Sequence, residues 1–175
     1  AKGRADDFIF AERWPVNSQR PGRDVLIVGI GNEFRGDDAA GLLVVRELRK
    51  KSLPEVEVLE HSGEGASLLE LYQERKMVIL VDAVQSDLPA GRIVRFDAAK
   101  EPVPSQFFHY STHDFGLAES VEMARALGKL PPNLIIYGIA GKQFSLGDTP
   151  SAPVLEAVSR VVENIQEEIH QWFLD

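Results

Sequence analysis

At 175 residues the chain has enough length for one domain with a sizeable core. A formal net charge of -8, with no cluster of Lys or Arg, argues against a nucleic-acid partner, because phosphate binding needs a basic face. The absence of cysteine excludes disulfides, thiolate metal sites and a cysteine nucleophile. No apolar run approaches the roughly 20 residues of a membrane span, and no secretory h-region is present, so a cytoplasmic protein without a membrane partner is expected.

Residues 1–23 lack a clear period and read as an N-terminal extension; residues 24–175 read as one domain. Val25–Ile30 is a continuous apolar run, the pattern of a central strand buried on both faces. Ala39–Lys51 carries Leu42, Leu43, Val45 and Leu48 at helical spacing. Val56–Leu59 reads as a second strand, Ser67–Glu74 as a short helix and Met77–Val81 as a third strand. The link 83–91 is too short for a parallel crossover, which needs about a dozen residues, so the fourth strand, Arg92–Phe96, is expected to be antiparallel and at or near an edge. Asp114–Leu127 reads as an amphipathic helix, Leu134–Ile139 as a buried strand and Pro153–Phe173 as a long terminal helix with one apolar stripe. The order predicts a three-layer α/β/α sandwich on a twisted, mostly parallel five-stranded sheet with one antiparallel strand.

In such sheets the binding crevice lies beyond the carboxyl ends of the strands. The first loop there follows Gly29 and Gly31 and holds Asn32, Phe34, Arg35 and the acidic pair Asp37–Asp38. Two chemistries compete for it. A dinucleotide fingerprint needs a third glycine where this chain has Phe34, and two aspartates would repel a pyrophosphate; Glu60, at the end of the second strand, is the one feature that suits a ribose. A metal reading joins Asp37 or Asp38 to Asp82, directly after the third strand, and to His113, before the next helix. Two carboxylates and an imidazole suit a divalent first-row metal and leave positions open for substrate or water. Each residue also has a plainer reading: an N-cap for Asp37 or Asp38, a turn for Asp82, a first-turn position within Ser111–Asp114 for His113. No G-x-S-x-G or H-E-x-x-H motif is present, so neither a serine elbow nor a conventional zinc protease is supported.

Taken together, GIGNEFRGDDAAG, VDAV and STHDFGLAE resemble the hydrogenase maturation proteases, the endopeptidases that trim the C-terminal tail of nickel–iron hydrogenase large subunits. The resemblance runs from about Val25 to Trp172. It implies Asp38, Asp82 and His113 as metal ligands, with Asp37 more a supporting acid than a ligand. Two routes to bond cleavage stay open: a metal that polarises the carbonyl or activates water, and a carboxylate, Asp38 or Asp37, acting as general base. Gly31, Asn32, Glu60, His61, Gly63 and Gly65 would line the substrate cleft. Glu60 falls where the family often has Asp, which favours a structural acid over a ribose contact. The metal implied is nickel carried by the substrate, with zinc or cadmium able to substitute, so the site is expected to stand empty in the free enzyme. The implied partner is a hydrogenase large-subunit precursor, met by a monomer. A Rossmann-like nucleotide-binding module without protease activity is the alternative.

Overall fold

The computed structural model describes residues 24–108 and 114–175. The expected extension at 1–23 and His113 lie outside the described residues. Five strands form one sheet: β1 (Val25–Ile30), β2 (Val56–His61), β3 (Met77–Gln85), β4 (Ile93–Asp97) and β5 (Asn133–Gly141), in the order β2-β1-β3-β5-β4. The pairs β1–β2, β1–β3 and β3–β5 are parallel, while β4 runs antiparallel to β5 at the edge, as the short link requires.

Four helices cover the sheet: α1 (Ala40–Lys50), α2 (Gly65–Leu71), α3 (Leu117–Ala126) and α4 (Ala152–Leu174). Strand alternation divides the core in two. Ile27, Ile79, Val81, Ile135 and Ile139 pack against Val44, Val45 and Leu48 of α1 and Val154, Val158, Val161 and Ile165 of α4. Leu26, Val28, Val78, Leu80, Leu134 and Ile136 face Leu68 and Tyr72 at α2 and Leu117, Val121 and Ala124 of α3. The arrangement is an α/β/α sandwich with helices on both faces.

Strands β2, β3 and β5 extend past their expected ends, to His61, Gln85 and Gly141. Asp82 therefore lies inside β3, in register with Gly138 of β5, and not in a loop after the strand. The chain leaves β1 towards β2 on one side and later returns to β3 on the other, so a crevice opens between the ends of β1 and β3. Gly41 lets α1 reach that crevice: a Cβ there would meet the carbonyl oxygens of Ile30 and Val81, each at 2.3 Å.

Candidate functional site

The turn after β1 folds back on itself. At Gly31 φ is +152°, and a Cβ would sit 1.9 Å from the Asp38 carbonyl oxygen. Asn32 N donates to that same oxygen at 3.3 Å, and Phe34 N donates to Asn32 Oδ1 at 2.9 Å. A 3-10 turn, Gly36–Ala39, then delivers the two aspartates in opposite directions. Neither caps α1 through its side chain: the N-cap is Ala39.

Asp37 is fully buried. Its Oδ2 accepts from Lys142 N at 2.8 Å and Gln143 N at 3.0 Å, and its Oδ1 accepts from Ser151 N at 2.7 Å. Burial alone would raise its pKa; the three N–H groups outweigh this and hold it below the ordinary carboxylate value. Further bonds join the same two segments: Asp37 N to Gln143 O at 2.7 Å, Gly36 N to Asp148 O at 3.1 Å, and Gly147 N to Phe34 O at 2.8 Å. Asp37 thus clamps the β5–α4 segment to the first loop. This corrects its expected role as an alternative base, because its carboxylate is sealed inside the clamp and does not line the cleft.

Asp38 turns the other way. With Asp82 it lines a cleft of about 510 Å³ at the ends of β1 and β3. Burial, then the charge of Asp38, pushes Asp82 well above the usual carboxylate range, while Ala83 N–H acts against the shift. Burial also raises Asp38, opposed by Arg35 and by Asn32 N–H. Two acids in one cleft, both raised by burial and one of them also by the charge of the other, form a site that a dication would stabilise, taking the place of a proton. Among the described residues no group of three or more His, Cys, Asp or Glu could hold a metal; the set expected from sequence needs His113, which lies outside them. Phe115 O accepts from Gly65 N at 2.9 Å.

The β2–α2 segment forms another wall. Glu60 lines the cleft and is held by Arg46 (3.0 Å) and Arg49 (2.7 Å), and Arg46 also reaches Glu33 at 3.3 Å. Glu60 is therefore an ion-pair centre. Gly31, Asn32, His61 and Ser62 also line the cleft, whereas Gly63 and Gly65 are buried behind it. Glu64, which sequence alone leaves without a role, caps α2 by accepting from Ala66 N and Ser67 N.

His61 contacts Ser67 Oγ through Nε2 at 3.0 Å, a pair that invites a nucleophile reading. Its polarity is wrong for one. Nδ1 accepts from Gly63 N at 2.9 Å, so Nε2 carries the proton and donates to Ser67, which hands its own proton to Glu64 Oε2 at 2.7 Å. A general base would need a free lone pair on Nε2. The remaining wall is aromatic: Phe107, Phe108 and Phe144. Phe144 is 106 positions from Asp38 in the sequence, and single-sequence patterning carries no signal for that meeting.

The sequence profile of one family, described as hydrogenase maturation protease (HycI), matches residues 42–172. A Methanocaldococcus jannaschii protein assigned as a hydrogenase maturation protease is 35% identical over 153 residues, covering 84% of this chain and 97% of its own. The hydrogenase 2 maturation protease of Escherichia coli is 30% identical over 152 residues, covering 82% and 91%. The solved structure of the [NiFe] hydrogenase maturation protease HybD from Thermococcus kodakarensis superimposes with a TM-score of 0.64 at 28% identity, covering 83% and 98%. None of this supports a nucleotide-binding module. Phe34, in the place of the third glycine, is 65% exposed at the cleft mouth, and the acidic pair is divided between a buried clamp and the cleft.

Proposed function

The chain belongs to the hydrogenase maturation protease family, and on that premise we propose that it removes the C-terminal extension of a nickel–iron hydrogenase large-subunit precursor after nickel insertion. It is a hydrolase of peptide bonds by family. The observation that carries the finer reading is the convergence of Asp38, from the turn after β1, and Asp82, inside the adjacent strand β3, on one cleft of about 510 Å³.

Nickel enters this reading as cargo of the substrate. Asp38 and Asp82 would receive it, with His113 as third ligand, and the precursor's own donors would complete its shell. Cleavage then follows only where insertion has succeeded. Burial raises the pKa of Asp82, so a cation held there would compete with a proton for that carboxylate. Asp38, at the cleft surface with a raised pKa, is the carboxylate placed to take a proton from an attacking water. Zinc, borderline like nickel, and the softer cadmium are divalent ions that carboxylate and imidazole ligands can hold, so either would stand in for nickel in a binding assay. Arg46, Arg49 and Glu60 hold one wall rigid, and the Asp37 clamp holds the other.

The test is incubation with a large-subunit precursor, with and without nickel, and analysis of the product by intact mass. Trimming of the nickel-loaded form alone is expected, with loss of trimming in D38N and H113A. Normal trimming by both variants would end the metal-recognition idea.

A further inference from the structure

One charge in the cleft has no part in the reading above. Arg35 lines the cleft from the first loop, and its Nε donates to the Phe144 carbonyl at 3.1 Å. That bond pins the side chain between two walls and leaves both Nη groups for another acceptor. Arg46, the other arginine of the cleft, is consumed by Glu33 and Glu60. Arg49, Arg75, Arg95 and Arg125 each hold a carboxylate as well. Arg35 has none at ion-pairing distance among the described residues; its charge is balanced only through space, by Asp38.

That balance fails during the proposed reaction. A dication on Asp38 and Asp82 would claim the carboxylate charge that offsets Arg35 and would add repulsion of its own. A half-buried guanidinium beside a dication needs an anion, and the planar fork with two free Nη groups matches a carboxylate end-on. The precursor is the source of new groups at that moment.

We propose that Arg35 is a specificity-determining residue of this cleft, receiving a carboxylate of the bound precursor next to the cleavage site. The proposal rests on the endopeptidase reading. The carboxylate has two possible sources, an acidic side chain flanking the cleavage site or the new terminal carboxylate that cleavage creates, and kinetics separates them.

The experiment uses a nickel-loaded precursor that the wild-type protein trims. R35Q, R35K and R35E are assayed against it and against precursors in which each Asp or Glu flanking the cleavage site is changed to Lys. For an acidic side chain, kcat/KM of R35Q falls about 10- to 100-fold, as expected for loss of a charge-assisted contact. R35K retains part of the rate, and one charge-reversed precursor restores R35E. For the terminal carboxylate, the single-turnover rate is unchanged and product inhibition weakens. Wild-type kcat/KM together with wild-type product inhibition in R35Q overturns the proposal. Should R35Q fold poorly, R35K and the substrate-side changes carry the test: either a Lys-for-acid precursor loses rate with the wild-type protein or product inhibition weakens in R35K, and uniform rates across the set together with wild-type product inhibition in R35K overturn the proposal. Failure of the endopeptidase reading looks different, since the wild-type protein then leaves every nickel-loaded precursor uncut.

Discussion

Asn substituted for Asp37 and for Asp38 changes the same atoms at adjacent positions, and the structure predicts opposite consequences. In Asp37→Asn the amide keeps one acceptor. It serves best in the Oδ2 position, where it retains Lys142 N and Gln143 N. Its NH2 then confronts Ser151 N across a contact of 2.7 Å, donor against donor. Loss of one charge-assisted bond and an unsatisfied buried N–H together cost about 3 kcal/mol. At this chain length about 2–4 °C is lost per kcal/mol, so Tm should fall by roughly 6–12 °C. The folded pKa of Asp37 is lowered, so the stability it contributes is present above the unfolded pKa and is lost as pH falls through the folded value; the gap between wild type and D37N should close below about pH 4. Asp38 has a raised pKa and no such clamp, so D38N should hold Tm within about 2 °C of wild type or raise it, while abolishing precursor trimming. The assay is thermal unfolding by circular dichroism from acid to neutral pH. A D37N protein as stable as wild type, or a D38N protein destabilised as much as D37N, would refute the division of labour between the two aspartates.

Asp82→Asn should stabilise the fold near neutral pH, with the gain fading towards acid. A carboxyl whose folded pKa is raised loses stability as pH climbs from its unfolded to its folded value, and the amide has no such loss; a Tm gain independent of pH would contradict this. Nickel, zinc and cadmium should each raise Tm of the wild-type protein, more at pH 8 than at pH 5.5, and not that of D82N, as read by differential scanning fluorimetry. Gly41→Val should destabilise strongly and remove any metal response, because the new side chain meets carbonyls of β1 and β3 at 2.3 Å; unchanged urea unfolding would count against that close approach. Glu60→Gln should cost no more than about 1 kcal/mol, since its partners are exposed arginines, and a larger loss in the same urea assay would show that the pairing is more than a surface network.

The layer order was legible because the buried runs Val25–Ile30 and Met77–Val81 are unmistakable, and because a nine-residue link cannot cross a sheet in parallel. Strand ends were less so. Asp82 and Glu60 look like breakers in the sequence, yet both keep strand pairing, opposite Gly138 and Gly29. The split between Asp37 and Asp38 was beyond the sequence for a different reason. Residues one apart in a 3-10 turn diverge by roughly a third of a turn, and which one enters the core depends on three N–H groups more than a hundred positions away. The aromatic wall was not named from sequence either: Phe107, Phe108 and Phe144 come from segments far apart in the chain that meet only at this cleft.

The clamp has one further consequence, for how such a protein can diversify. Asp37 grips the 142–151 segment by its main chain alone, at Lys142, Gln143 and Ser151. Every letter of that segment except proline at those three sites offers the same N–H. The side chains of this wall are thus released from the duty of holding it in place. Its surface can be rewritten for a new precursor while the acids of the inner strands, and whatever cation they recognise, stay where they are.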